Sequence, residues 1–122
     1  MTPLELEMHL QITQRFIEAD ASQVTMLRST RNNDGAGGFI LENEVPVTPE
    51  PITIRMIPRS DRTPELALAD GRILRPEFAI LGMPDVDIQR YDEFFWDGVR
   101  WQVAHVHPLP VYEKKGDVVR IA

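Results

Sequence analysis

The sequence predicts an all-β fold: a small β-barrel of about five to seven strands with an N-terminal α-helix and long inter-strand loops. Three observations support this prediction. Short runs of β-branched and aromatic residues recur along the chain, turn-forming residues separate them, and one hairpin can be placed residue by residue. At 122 residues the chain is expected to form a single domain. We predict a helix in residues 1–20 and a barrel in residues 22–122, with loops at 32–50 and 59–75.

The hairpin is centred on Asp97-Gly98, which lies between an aromatic run and a β-branched run. A two-residue turn of this kind requires positive φ at both positions, which Asp tolerates and Gly adopts without strain. The turn fixes the register, so Trp96 should oppose Val99. One face of the hairpin is predicted to enter the core and consists of Phe94, Trp96, Val99, Trp101 and Val103. The other face consists of Glu93, Phe95, Arg100 and Gln102, and Arg100 is expected to stack on Phe95.

The N-terminal segment is predicted to be helical over residues 3–19, because its Leu, Glu, Met and Gln residues favour helix although their alternation has a strand period. Thr2 is the expected N-cap, with Pro3 in the first turn and Glu5 reaching back. The helix would carry two apolar stripes. One contains Leu6, Leu10 and Ile17; the other contains Leu4, Met8, Ile12 and Phe16. We expect one stripe to face the domain and the other a partner, and the stripe of Leu4, Met8, Ile12 and Phe16 is the candidate for the partner-facing one. The alternative is a helix wedged into its own core.

The first strand is predicted at Gln23–Arg31, followed by a glycine-rich hairpin loop and a short return strand at Phe39–Leu41. The glycine-rich loop lacks the Lys-Ser/Thr of a phosphate-binding loop, so a hairpin is the favoured interpretation. Glu42–Pro51 is expected to be an acidic, proline-punctuated connection. The remaining strands are predicted at 52–57, 77–81 and 117–121, besides the two of the hairpin.

The stretch Arg59–Arg75 is predicted to be a loop of about seventeen residues, which is long for a small domain. Loops of this length are usually functional or disordered. A short helix could form within it at residues 64–69.

No pattern in the sequence predicts catalysis, a cofactor or a metal site. The chain has no cysteine, and its serines lie in no nucleophile elbow. His105 and His107 have the spacing of two metal ligands on a strand, but no third ligand cluster accompanies them. The carboxylates of Asp85, Asp87 and Asp92 are expected to lie in a solvated turn. There is no apolar run long enough to cross a membrane and no recognisable signal peptide.

Charge is distributed unevenly along the chain. Four acidic residues lie between Asn33 and Pro51 without a compensating cation, and an arginine-rich stretch follows them. This pattern favours complementary contacts between identical neighbours in a head-to-tail ring, although solvated loops that never meet would look the same. The candidate inter-subunit arm consists of Asp34, Phe39, Glu42 and Glu44. The net charge of −6 argues against a free-standing nucleic-acid binder.

The order and spacing of these features resemble the head-closure proteins of tailed bacteriophages, also called head-to-tail stoppers or head-tail joining proteins. The resemblance covers most of the chain after Ser22. It rests on a first strand entering Asp34-Gly35-Ala36-Gly37-Gly38, a strand ending Met56-Ile57-Pro58, and a long loop. The Met83-Pro84-Asp85-Val86-Asp87-Ile88 turn and an Asp-Gly hairpin running into Val103–Pro108 follow. The N-terminal helix and the acidic arm depart from the shorter family members.

The resemblance implies a ring of about six copies in the neck of the virion, below the portal and its adaptor. Such a ring retains packaged double-stranded DNA and docks the tail terminator or tail tube. The chain would reside in the host cytoplasm during assembly and in the virion afterwards. Family members project a long loop into the channel as a gate, and here that loop matches Arg59, Asp61, Arg62, Glu65, Asp70, Arg72 and Arg75. Arg59, Arg62 and Arg72 would reach DNA phosphates or carboxylates across the lumen.

Two other interpretations stay open at this point. An OB-like barrel could hold single-stranded nucleic acid on exposed aromatic residues such as Phe39 and Phe95. A neighbouring connector, such as the adaptor or the tail terminator, would share the virion location.

Overall fold

The computed structural model describes residues 1–33, 35, 39–59, 64–69, 71–108 and 110–121 of the chain. One helix and ten strands follow each other in these residues. They are α1 (Pro3–Glu18), β1 (Ser22–Val24), β2 (Leu27–Asn33), β3 (Phe39–Pro46), β4 (Ile52–Pro58), β5 (Leu66–Ala67), β6 (Ile73–Leu74), β7 (Phe78–Gly82), β8 (Glu93–Trp96), β9 (Val99–His107) and β10 (Lys114–Arg120). The protein is therefore mostly β with an N-terminal helix, as predicted.

Eight of the strands form one antiparallel sheet in the order β1-β4-β7-β10-β9-β8-β2-β3, and β5 pairs with β6 separately. The sheet curls into a half-barrel, so the prediction of a closed barrel of five to seven strands was wrong in strand number and in closure. The curl brings β1 towards β8, where the indole Nε1 of Trp96 donates a hydrogen bond of 3.0 Å to the Ser22 hydroxyl. In the described sheet these two strands are not paired neighbours.

The predicted first strand is two strands. β1 pairs with β4, whereas β2 leaves that partner and pairs with β8 through Leu27 and Glu93. The break falls at Thr25-Met26, where the Met26 side chain is buried and its carbonyl accepts a hydrogen bond of 2.7 Å from Val47 N–H. The residues predicted to form one strand therefore cross from the neighbourhood of β4 to that of β8.

The central hairpin has the predicted register. Phe94 opposes Trp101, Phe95 opposes Arg100 and Trp96 opposes Val99. Asp97 and Gly98 have φ values of 53° and 73°, as a turn with positive φ at both residues requires.

The core lies on the concave face of the sheet. Phe78, Trp96 and Trp101 meet there with ring centroids 5.2–6.3 Å apart, in the tilted and edge-on geometries that aromatic rings prefer. The buried residues of this cluster are Val24, Met26, Ile52, Ile54, Met56, Ile80, Ile88, Phe94, Trp101, Val103 and Val118. Strands β1, β4, β7, β8, β9 and β10 each contribute buried residues to this core.

Helix α1 starts at Pro3 with Thr2 as its N-cap, as predicted, since the Thr2 hydroxyl accepts a hydrogen bond of 3.1 Å from Glu5 N–H. The helix packs on the convex face of the sheet against β4 and β7. Thr13 and Ile17 are buried there, and Leu6 and Leu10 are half-buried. The stripe of Leu6, Leu10 and Ile17 is therefore the one that faces the domain.

Two predicted loops contain strands. Residues Glu42–Pro46, expected to form a connection, belong to β3 and pair with β2. A bulge places Asn43 and Glu44 opposite Ser29, and Asn43 has a φ of 58°, which asparagine accepts more readily than most residues. In the 59–75 stretch, the suggested short helix is replaced by the β5–β6 hairpin, whose turn contains Gly71 at φ 87°.

Candidate interaction surfaces

The Arg59–Arg75 segment is attached to the convex face at its beginning. The backbone N–H of Arg59 donates a hydrogen bond of 2.9 Å to the Glu77 carbonyl. The Nε of Arg59 lies 3.3 Å from Oδ1 of Asp117, an ion-pair distance, although neither of these buried atoms makes a hydrogen bond. Asp117 is itself buried on β10. The segment therefore begins at a fixed point on the sheet.

The second half of the segment is also attached to this face. Leu68 is buried against Ala104 of β9 and Val119 of β10. The backbone N–H of Ala69 donates a hydrogen bond of 3.0 Å to Oε1 of Gln102, whose amide in turn donates to Glu93 at 3.0 Å. These contacts attach the β5–β6 hairpin to the sheet, so the described part of the predicted gate loop is a folded substructure.

The predicted gate residues differ in their surroundings. Arg59 is half-buried beside Asp117, whereas Glu65, Arg72 and Arg75 are exposed. Arg72 and Arg75 also make side-chain or backbone interactions within the chain. Asp61, Arg62 and Asp70 lie outside the described residues.

We expect Leu68→Ala to detach the β5–β6 hairpin without unfolding the half-barrel. Removing a buried leucine side chain costs about 2–5 kcal/mol, and here the loss falls on a two-stranded hairpin with little else to hold it. Amide hydrogen exchange at Leu68 and Ala69 should therefore accelerate by at least roughly 30-fold. Leu74→Ala, in the same hairpin but on an exposed strand, is the matched control and should leave these rates near wild-type. Unchanged protection at Ala69 in Leu68→Ala would show that the cluster does not anchor the segment.

The β2–β3 hairpin forms an arm at one end of the sheet. Among the described strands, β3 pairs only with β2, so its outer edge is open. Glu42 and Glu44 are exposed on this arm, and Glu44 forms an ion pair with Arg100 of β9. Asp34 lies outside the described residues, and of Phe39 only the backbone position, at the start of β3, is described.

An arginine network joins the base of the arm to the turn before β8. The Arg28 guanidinium donates to both carboxylate oxygens of Asp92 at 2.8 and 2.9 Å, and to both oxygens of Asp87 at 3.0 Å. The Gln89 N–H also donates to Asp92, at 2.9 Å. Hydrogen bonds to Asp92, and then to Asp87, raise the pKa of Arg28 above its ordinary value, and the hydrogen bond from Arg28 lowers the pKa of Asp87.

This network corrects the prediction of a solvated acidic turn. Asp92 is 1% exposed, and a buried carboxylate needs a cation or several hydrogen-bond donors. Its partner Arg28 lies 64 residues away in the sequence, so no local pattern identified the pair.

The second apolar stripe of α1 remains on the surface. Leu4, Met8, Ile12 and Phe16 have exposed fractions of 67%, 55%, 60% and 42%. Phe16 is held in place by Arg55 of β4, whose Cζ lies 3.9 Å from the ring centroid and whose Nη1 donates a hydrogen bond of 2.8 Å to the Phe16 carbonyl. We call these four residues the outer stripe.

An open groove of about 360 Å³ runs beside the outer stripe, between α1 and the convex face. His9 and Tyr112 stack at one wall, with ring centroids 4.5 Å apart. Ile12 and Phe16 belong both to the groove and to the outer stripe. The complete lining is His9, Ile12, Thr13, Phe16, Ile57, Leu81, Tyr112, Glu113 and Lys115.

The two histidines of β9 have a structural explanation. Their rings lie 4.8 Å apart, and Nε2 of His107 is 2.9 Å from Oδ2 of the buried Asp117. Within the part of the chain that the structure describes, no group of three or more His, Cys, Asp or Glu residues could hold a metal ion. His107 and Arg59 therefore both lie beside the buried carboxylate of Asp117.

Phe95 is the exposed aromatic residue of the central hairpin. Arg100 stacks on it as predicted, with Cζ 5.2 Å from the ring centroid. The same guanidinium is paired with Glu93 and Glu44. An aromatic platform for bases would therefore have two carboxylates beside it, which repel phosphate.

Comparison with known proteins gives no assignment: no protein-family model and no curated protein matches this chain. Across the described residues, no helix is long and apolar enough to cross a membrane.

Proposed function

We propose that this chain is a head-closure, or head-to-tail stopper, protein of a tailed phage, which forms a ring in the neck, retains packaged DNA and docks the tail. The observation that carries the proposal is that one small half-barrel has an exposed apolar helix face, a hairpin arm with an open edge, and a long inter-strand segment whose described part is folded against the sheet. These three features are the outer stripe of α1, the β2–β3 arm and the Arg59–Arg75 segment. Exposed apolar and edge surfaces of this kind are typical of proteins that function inside an assembly.

The half-barrel serves as the rigid body of each ring subunit. Its aromatic core and continuous sheet resist deformation, because a close-packed protein interior has few voids and low compressibility. The Arg59–Arg75 segment acts as the gate, and its arginines contact DNA phosphates or carboxylates of neighbouring copies. The attachment of Arg59 to Asp117 and of Leu68 to β9 and β10 gives the gate a fixed base on this body.

The arm provides the contact between adjacent ring subunits. Its open β3 edge can accept a strand or side chains from a neighbour, and the acidic residues of the arm make it complementary to an arginine-rich surface of the next copy. The portal and adaptor lie above the ring and the tail terminator or tail tube below it. No step in this function requires catalysis or a cofactor.

A particle assay tests the proposal. In the phage that encodes the chain, an early stop codon should give heads that package DNA but lose it and fail to join tails. The measurements are nuclease-sensitive DNA in purified heads and tail attachment by negative-stain microscopy, with the wild-type chain supplied in trans as the control. Normal tailed, infectious particles without the chain would refute the proposal.

A separate variant tests whether the Arg59–Arg75 segment acts as the gate. Reversing charge at Arg72 and Arg75 should leave the ring and tail attachment intact while DNA retention falls. Arg120→Glu, a charge reversal at an exposed residue of β10, is the matched control. Equal DNA retention in both variants would refute the gate role of the Arg59–Arg75 segment, but it would not bear on the formation of a ring.

An OB-like module for single-stranded nucleic acid is the competing function, since Phe95 is an exposed aromatic residue on which a base could stack. Salt-dependent binding of oligonucleotides by the isolated chain, lost in Phe95→Ala, would favour it over the stopper.

A further inference from the structure

The outer stripe has a regular spacing. Its members recur every four residues, which forms one of the ridges that helices use when they pack against each other. The stripe extends from Leu4 to Phe16, so its midpoint lies at Leu10. A second helix crossing at this midpoint would cover all four exposed side chains.

Charged residues lie on the same face as the stripe. At about 100° per residue, Glu5 falls between the directions of Ile12 and Phe16, and Arg15 falls between those of Leu4 and Met8. Both are exposed. The N-terminal half of the face therefore carries Glu5, with Glu7 beside it, and the C-terminal half carries Arg15, with Glu18 beside it.

The sheet gives the C-terminal half of the face a net positive charge. Arg55 covers one side of Phe16 and places a second guanidinium at this end of the stripe. The nearby carboxylate of Glu18 accepts a hydrogen bond of 3.1 Å from Gln14. The face thus carries opposite charges at its two ends.

We propose that this face binds the same face of a second copy of the chain, with the two helices antiparallel. An antiparallel crossing at Leu10 places Met8 opposite Ile12 and Leu4 opposite Phe16. It also brings Arg15 of each copy to the level of Glu5 of the other. A parallel crossing would instead set Arg15 against Arg15 and Glu5 against Glu5. Charge complementarity therefore selects a self-complementary, two-fold contact.

The contact is expected to be weak in solution. A single helical stripe provides less than the roughly 800 Å² per partner of a standard interface. Self-association with a Kd on the order of 10–100 µM is the corresponding expectation. The second copy also covers the mouth of the groove, because Ile12 and Phe16 border both surfaces. This inference does not depend on the phage function.

Sedimentation of the purified full chain, from about 1 µM to about 200 µM, tests the contact. The wild-type weight-average mass should rise from near one chain towards two across this range. Ile12→Asp should stay monomeric throughout. Val45→Asp, an exposed valine on the arm, is the matched control and should dimerise like the wild type.

Charge reversal tests the antiparallel orientation. Arg15→Glu should weaken dimerisation roughly tenfold, since two symmetric pairs become repulsive, and adding Glu5→Arg to that variant should restore it. Circular dichroism verifies that each variant keeps its helix. A monomeric wild-type chain at the highest concentration overturns the proposal, and so does any oligomer that Ile12→Asp leaves intact. Failure of the double variant to recover overturns the antiparallel arrangement.

Discussion

Replacing Phe94 with alanine is expected to lower the free energy of unfolding by about 3–5 kcal/mol. Phe94 is fully buried, opposite Trp101 in the central hairpin and within the concave core. The substitution removes a ring from a site where the surrounding sheet cannot collapse, so the cost includes both lost burial and a cavity. Urea denaturation followed by tryptophan fluorescence measures the change, with an unchanged m-value as evidence that the denatured state is the same.

The adjacent residue provides the matched control. Phe95 points to the opposite face of the strand and is 54% exposed, with Arg100 stacked on it. Phe95→Ala should lose little more than that cation–π contact, which is about 0.5–1 kcal/mol. Similar losses in the two variants would contradict the assignment of the hairpin faces.

The central hairpin could be predicted from the sequence because its determinants are local. Asp97-Gly98 selects the turn, the turn fixes the register, and alternation then assigns each face. The helix start is local in the same way, since Thr2 and Glu5 are three residues apart. Both predictions agree with the structure to within one residue.

The arrangement of the other strands could not be predicted, because it depends on distant partners. The break at Thr25-Met26 follows from β1 pairing with β4 and β2 pairing with β8. Strand β10 begins three residues before the predicted Asp117, at two lysines and a glycine with low β-propensity. A Cβ at Gly116 would lie 3.3 Å from the His105 carbonyl oxygen, so the close approach of β9 explains why glycine fits there.

The candidate surfaces also combine features that local sequence determines with features that depend on long-range contacts. The length of the Arg59–Arg75 stretch and the two apolar stripes of α1 are local features of the sequence, and the roles assigned to them stay predictions. The attachment of that stretch through Leu68 and Gln102 is long-range and was not foreseen. The Arg28 network could not be predicted either, because the sequence around Asp92 does not show that its carboxylate is buried.

Arg28→Ala is expected to lower the free energy of unfolding by about 3–5 kcal/mol, comparable to the loss of the core phenylalanine. The variant leaves the buried carboxylate of Asp92 with the Gln89 N–H as its remaining described hydrogen-bond donor. Breaking a buried ion pair from one side is costly because the second charge remains without compensation. The loss should also loosen the base of the arm, since Arg28 is the side chain that joins β2 to the turn before β8. Denaturation measures the first effect, and hydrogen exchange in β2 and β3 measures the second.

Two further variants test whether the destabilisation comes from the uncompensated charge of Asp92 or from the loss of the arginine side chain in general. Asp87→Asn removes only the exposed partner and should cost less than about 1 kcal/mol. The double variant Arg28→Ala with Asp92→Ala should be more stable than Arg28→Ala alone, because no unpaired buried charge remains. If the double variant were instead less stable than the single one, the penalty would come from lost packing around the arginine stem. In that case the arm would be held by apolar contacts, and its release would not depend on the charge of Asp92.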